Sequence, residues 1–78
     1  MNNTNVKVEE LERKINLVQL MIDKRKERVE YYEKLLKMGL SADDTIKLQF
    51  HAGAKECEVK ALEKELDWLY MQKAFYEL

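Results

Sequence analysis

The residues of this 78-residue sequence that could carry out chemistry are few, and none has the companions that a reaction centre needs. Asp43 and Asp44 are adjacent carboxylates, a residue type used for acid–base catalysis, but they follow Ser41 closely enough for helix capping to account for both. His51 is the only histidine and Cys57 the only cysteine. Metal and nucleophilic sites need several such side chains at set spacings. The sequence therefore predicts a protein that is not an enzyme, with no metal and no cofactor.

The other chemically distinctive group is a basic cluster, formed by Lys24, Arg25, Lys26 and Arg28. Such a cluster could follow a phosphate backbone. The chain as a whole has a net charge of −1, which gives no general attraction to nucleic acid or to an anionic membrane. The acidic stretch 56–67 is expected to lie opposite the cluster, so we favour charge pairing between the helices. The alternative is a small RNA- or DNA-binding hairpin that uses these four residues.

Composition limits the fold class to long amphipathic helices. Hydrophobic residues make up 46% of the chain and charged residues 37%, and there are two glycines and no proline. This combination is typical of helices with one apolar stripe and a charged remainder, whereas a β-rich domain needs many more turn residues. A lone cysteine, no secretory signal and no apolar run of about 20 residues predict a single-domain cytoplasmic protein with no membrane partner.

An apolar pattern with alternating spacings of three and four predicts a first helix over about 6–38, after a frayed segment 1–5. Only one of its nine seam positions is charged, and a charge in a seam can fix register at some cost in stability. The predicted seam consists of Val8, Leu11, Ile15, Val18, Ile22, Arg25, Val29, Tyr32 and Leu36.

A helix stop is followed at once by a helix start. Gly39 can take the left-handed conformation that ends a helix, and Ser41 can cap the next one. We therefore predict a turn over 39–41 and a second helix over about 42–77, antiparallel to the first. Gly53 lies inside this helix, and a break there would give three helices instead of two. The predicted second seam consists of Leu48, Ala52, Lys55, Val59, Leu62, Leu66, Leu69, Lys73 and Tyr76.

Both helices carry a second apolar stripe, which one hairpin contact does not bury. Faces this broad belong to helices with two neighbours each. We therefore expect a homodimer that forms a four-helix bundle, or the binding of a different protein, and we expect Cys57 to be a buried structural thiol. The first helix contributes Leu17, Met21, Lys24, Arg28, Tyr31, Leu35 and Met38 to this stripe. The second contributes Ile46, Phe50, Cys57, Ala61, Trp68, Met71, Phe75 and Leu78.

Aromatic residues are concentrated near the end of the second helix. If residue i faces roughly residue 80 − i, few apolar residues of the first helix lie opposite them. Aromatic and methionine side chains are enriched at interface cores. We therefore predict a non-catalytic regulator, adaptor or inhibitor that binds another, unidentified protein, in the style of small accessory factors of bacteria or their mobile elements. The predicted protein-binding residues are Trp68, Tyr70, Met71, Phe75 and Tyr76.

Short segments on either side of the turn resemble a known family. The segments 20–23 (Leu-Met-Ile-Asp), 39–40 (Gly-Leu) and 44–47 (Asp-Thr-Ile-Lys) are similar to the hairpin of small aspartyl-phosphatases that control sporulation in spore-forming bacteria. The active motif of that family, Ser-Gln-Glu-Leu-Asp, would follow directly, where this chain has Leu-Gln-Phe-His-Ala at 48–52. A partial echo, Lys-Glu-Leu-Asp, comes later at 64–67. The resemblance implies a helical hairpin that lacks the active motif, and it transfers no site residue.

Overall fold

The computed structural model describes residues 3–78 as two long helices joined by a short turn. Helix α1 spans Asn3–Leu36 and helix α2 spans Ala42–Glu77, and the described residues include no strand. The two helices run antiparallel and pack along their length, so the Cα positions extend 61 Å in one direction and 14 by 12 Å in the others. The prediction of an all-α helical hairpin is confirmed.

The bounds of α1 differ from the sequence-based ones at both ends. Asn3–Asn5 are helical rather than frayed, since no glycine or proline interrupts the pattern there; Met1 and Asn2 lie outside the described residues. The helix ends at Leu36 rather than near 38. The amide N of Lys37 donates to the carbonyl O of Lys34 at 3.2 Å, and Met38 N to Leu35 O at 3.1 Å. These three-residue spacings tighten the last turn and take up carbonyls that the α-helix leaves free.

The turn between the helices follows the predicted chemistry. Gly39 has a φ of 71°, the left-handed conformation that glycine adopts without a steric penalty. Ser41 is the N-cap of α2, and its hydroxyl accepts a hydrogen bond from the amide of Asp44 at 3.2 Å. The Asp43 and Asp44 carboxylates lie in the first helical turn, where the helix dipole favours negative charge. Capping therefore accounts for the only adjacent acidic pair near the turn.

Helix α2 continues through Gly53 without a break. A Cβ built on Gly53 would meet no atom within 4 Å, so no close approach by α1 requires a glycine here. The two-helix arrangement, rather than the three-helix alternative, is the one observed.

The core is a single seam between the helices, and it coincides with the two predicted seams. Ile22 is 1% exposed. Every other predicted seam residue of α1 is either buried or half-buried. In α2 the predicted Leu48, Leu62 and Leu66 are half-buried, whereas Tyr76 is 38% exposed. The fully buried residues are Leu11, Ile15, Val18, Ile22, Val29, Ala52, Val59 and Leu69.

Side-chain contacts between the helices follow a slightly different register from the expected one. Arg25 contacts Glu58, Lys73 contacts Glu12, and the Tyr32 ring lies 6.2 Å from the His51 ring. These contacts join residue i to roughly residue 84 − i, not 80 − i. The reason is that helical side chains lean toward the N-terminus of their own helix. In an antiparallel pair, both leanings shift the contacts toward higher residue numbers.

The two glycines should respond in opposite ways to the same substitution. Gly39→Ala should lower the free energy of unfolding by about 1 kcal/mol, because alanine is strained at positive φ. Gly53→Ala should raise it by about 0.5–1 kcal/mol, because alanine is favoured inside a helix and the space is open. Urea titration followed by circular dichroism measures both. A loss of stability in Gly53→Ala would contradict the structure, because it would require a second helix packed closely on Gly53.

Candidate protein-interaction surface

An apolar groove runs along one side of the hairpin, between α1 and α2, from the open end toward the middle. Two adjoining hollows form it, and they share Lys14, Trp68 and Gln72. We call this feature the apolar groove, and the side of the hairpin that carries it the groove face. Its lining consists of Lys7, Glu10, Leu11, Lys14, Leu17, Val18, Met21, Glu65, Trp68, Leu69, Met71, Gln72, Phe75 and Tyr76.

The seam forms the floor of the groove, and the second stripes form its walls. Leu11, Val18 and Leu69 are each 6% exposed and close the floor. Trp68 is 57% and Phe75 72% exposed, and their spacing of seven residues places them on one face of α2. Large apolar side chains therefore stand in solvent along both sides of a buried apolar floor.

The structure brings together four of the five predicted protein-binding residues. Trp68, Met71, Phe75 and Tyr76 all line the groove. Tyr70 does not; it lies on the other side of the hairpin, in a shallow hollow with Glu12 and Lys73 among its neighbours. Two residues beyond Trp68 are about 200° around a helix from it, so the helical period itself separates Tyr70 from the others.

The polar rim of the groove was not named by the sequence analysis. It consists of Lys7, Lys14, Glu65 and Gln72, together with Glu10. Their sequence signal was the spacing of seven that links Lys7 to Lys14 and Glu65 to Gln72, on the helix flank next to each seam. A search restricted to apolar and aromatic residues passes over such positions.

The basic cluster is divided among three sides of α1. Lys24 and Arg28 are exposed next to Tyr31 on the groove face. Lys26 is on the opposite side, in a hollow that also contains Glu30, Glu33, Glu56 and Glu63. Arg25 is in the seam between them. The four cations therefore do not form one continuous basic surface.

Arg25 is satisfied within the hairpin. Its Nε donates to Glu58 Oε2 at 3.1 Å and its Nη1 to the carbonyl O of Met21 at 3.2 Å. Lys55 Nζ donates to the same Glu58 oxygen at 3.2 Å. The Lys55 hydrogen bond, with smaller contributions from the charges of Lys55 and Arg25, holds the pKa of the Glu58 carboxyl below its usual value. The one charge in the α1 seam thus joins α1 to α2 at a defined register.

A second inter-helix ion pair lies near the open end, on the side away from the groove. Lys73 Nζ is 3.5 Å from Glu12 Oε1 and 3.5 Å from Glu77 Oε1. Glu77, and to a smaller extent Glu12, raise the pKa of the Lys73 ammonium. The ion pair of Lys73 contributes fully to stability below the pKa of this lysine in the unfolded chain. The contribution is lost as the pH rises through the pKa of Lys73 in the folded protein.

The side of the hairpin opposite the groove is acidic, and we call it the acidic face. Its central hollow contains four glutamates and only two lysines: Lys26, Glu30, Glu33, Glu56, Lys60 and Glu63, over Val29 and Val59. In contrast with the groove, no aromatic side chain lines this hollow. The walls of this hollow are therefore mainly charged, over an apolar floor of Val29 and Val59.

Cys57 corrects one expectation from the sequence. The thiol is free and exposed, not buried, because Cys57 lies on the outward side of α2, away from the α1 contact. Within residues 3–78, no group of three or more His, Cys, Asp or Glu side chains is placed to hold a metal ion. No described helix combines the length and apolar character needed to cross a membrane.

Comparison with known proteins identifies no relative. No family model matches the chain, and neither a curated protein nor a solved structure matches it. The similarity of the turn segment to sporulation-control phosphatases therefore rests on the short segments quoted above.

Acid titration should isolate the contribution of Glu58. Because its folded pKa is lowered, the Glu58 carboxylate stabilises the hairpin above the unfolded pKa, and this stabilisation is lost as the pH falls through the folded pKa. Glu58→Gln should therefore lower the stability at neutral pH and flatten its decline between pH 7 and the acid range. Urea midpoints across this range measure the effect. Glu56→Gln, which removes an acid without an ion pair among the described residues, is the control and should keep the wild-type slope.

Proposed function

We propose that this chain is a non-catalytic protein-binding module, a regulator, adaptor or inhibitor, that acts in the cytoplasm as a homodimer. The observation that supports the proposal is the balance of apolar surface. Thirteen large hydrophobic side chains are exposed among the described residues, against eight buried hydrophobic ones. Large contiguous apolar surfaces on soluble proteins mark interaction sites, and the groove face concentrates the largest of these side chains.

A second copy of the chain is the occupant that the dimensions of the groove face favour. The whole hairpin measures 61 by 14 Å across its Cα positions, so the footprint of one side is of the same order as the roughly 800 Å² that each partner contributes to a stable interface. A second hairpin has the same length and the same apolar stripe, so the two stripes cover each other from end to end. The product is a four-helix bundle in which each helix has two neighbours.

A module of this kind can regulate another protein by binding it, which requires no chemistry of its own. A rod with a dimeric helical core presents long outer helix faces on which another protein can be held. Trp68, Met71, Phe75 and Tyr76 then contribute to assembly of the dimer that a partner protein recognises.

Two leucines on α1 provide a matched test of the dimer. Leu17 and Leu20 are 58% and 51% exposed, but only Leu17 lines the groove. Leu17→Glu should therefore dissociate the dimer by placing a charge in the interface, whereas Leu20→Glu should leave it intact. Sedimentation equilibrium at micromolar concentration should give about twice 9.4 kDa for wild type and Leu20→Glu, and the monomer mass for Leu17→Glu. Equal masses for all three proteins would contradict the proposal.

The emission of Trp68, the only tryptophan, provides an independent measurement. In a single hairpin its ring is mostly in solvent, and in the dimer it is covered. Emission should therefore shift to longer wavelength on dilution of the wild type, and Leu17→Glu should show the long-wavelength spectrum at every concentration. A concentration-independent spectrum in the wild type would place the interface elsewhere.

Nucleic-acid binding is the second candidate, favoured by the exposure of Lys24 and Arg28 next to Tyr31. The separation of Lys26 on the acidic face is unfavourable for it, because phosphate binding needs a continuous basic surface. We expect no retention of the wild type on RNA or DNA columns. A Lys24→Gln/Arg28→Gln variant should therefore behave in the same way and keep its helicity. Retention of the wild type that falls steeply with salt, and is absent in the variant, would favour this second candidate instead.

A further inference from the structure

The two helices contribute opposite charges to the groove face. From α1, Lys7 and Lys14 line the groove together with one acid, Glu10. Lys24 and Arg28 continue the same side toward the turn, again with one acid, Glu27, beside them. The bases thus outnumber the acids by four to two on this side of α1, and we call the four bases the basic strip.

From α2, Glu65 lines the groove, and no lysine or arginine of α2 does. Glu58 precedes Glu65 by seven residues and therefore lies on the same side of the helix, where its Oε2 also bonds Arg25 and Lys55 of its own chain. We call Glu58 and Glu65 the acidic strip.

A second copy can cover the groove face in two ways that keep two-fold symmetry. If the symmetry axis runs along the length of the rod, both hairpins point the same way, and α1 of each packs on α2 of the other. If the axis crosses the rod, the hairpins point in opposite ways, and each helix packs on its own copy. The charges on the groove face attract each other in one of these arrangements and repel each other in the other.

We infer that the two hairpins dock side by side and point the same way, with α1 of one chain on α2 of the other. This inference rests on the proposed homodimer and specifies its orientation. It places the basic strip of each chain on the acidic strip of the other, so that Lys24 faces the level of Glu58 and Lys14 lies about 8 Å along the rod from the level of Glu65, five residues at 1.5 Å each. Opposite charges across an interface favour one arrangement by attraction and by exclusion of the others.

Side-chain size favours the same arrangement. On the groove side of α2, the stretch nearer the turn contributes the small Ala61 and Ala54, one and two heptads before Trp68 respectively. With both hairpins pointing the same way, α1 of the second copy brings Tyr31 and Lys24 to these levels. Large side chains opposite small ones let helices interdigitate at normal packing density.

The opposite orientation brings like charges together. Lys14 and Arg28 lie on either side of the middle of α1, so packing α1 on its own reversed copy places Lys14 of one chain near Arg28 of the other. The four bases of each α1 would then face those of the other, with only Glu10 and Glu27 between them to offset the repulsion. A dimer through the acidic face has the same defect, because its central hollow contains four glutamates. Like charges in close apposition are unfavourable, and more so when water is excluded.

Energy transfer between dyes on mixed chains measures the orientation. In a Cys57→Ser background, Lys37→Cys places one label at the turn and Ala74→Cys places another near the open end, both exposed and neither lining the groove. The two positions are about 40 Å apart along the rod, because residue 74 is level with residue 10 and the helical rise is 1.5 Å per residue. Donor chains labelled at 37 are mixed with acceptor chains labelled at 37, and separately with acceptor chains labelled at 74, using a dye pair with a half-transfer distance between the two separations.

Chains that point the same way should give strong transfer from 37 to 37, because the labels are then about 20–30 Å apart, two to three helix diameters. Transfer from 37 to 74 should be several-fold weaker. Strong transfer from 37 to 74 with weak transfer from 37 to 37 would overturn the inferred orientation and leave the homodimer standing, and so would equal transfer in the two mixtures. No transfer in either mixture would overturn the homodimer itself. Leu17→Glu in the donor chain should abolish transfer in both.

Discussion

An α-helix that packs against one neighbour can bury only one stripe of its surface, and this constraint governs the whole molecule. In this hairpin the stripe is the seam centred on Ile22, the most completely buried side chain. Everything apolar outside it is left in solvent unless another polypeptide covers it. The groove face is therefore a direct consequence of having two stripes on each helix and one neighbour.

The charge of Arg25 is tolerated at the centre of the seam because both helices supply partners for it. Arg25 is half-buried, and a buried charge without partners would be costly. It bonds both to the Met21 carbonyl of its own helix and to Glu58 of the other. Aliphatic seams tolerate sliding by a heptad, because one leucine can replace another. An ion pair at one level does not, so Arg25 and Glu58 select a single register for the two helices.

The sequence predicted the seam because apolar spacing and helix period are properties of a single chain. Each α1 residue assigned to the seam is buried or half-buried, and Ser41 caps α2 as its side-chain type indicates. The side on which each remaining aromatic lies was harder to predict, since it depends on the helix phase relative to the partner helix. Tyr70 was assigned with Trp68 from proximity in sequence, yet the helical turn places it on the other side. The prediction that Cys57 is buried was wrong for a related reason. The small residues near it suggested a close approach by another helix, but α1 packs on a different side of α2.

The contrast between the two sides of the hairpin also determines how many copies the proposed self-association would join. The groove face combines apolar side chains with a basic strip on α1 and an acidic strip on α2, so it complements itself. The acidic face has neither property. An interface that pairs one face with its own copy uses that face up in both chains and closes the assembly. In the proposed dimer, the faces left outside carry more glutamates than lysines, so charge repulsion opposes the addition of further copies. In that proposal the charges around the seam favour a closed pair, with the acidic faces of both chains turned to solvent.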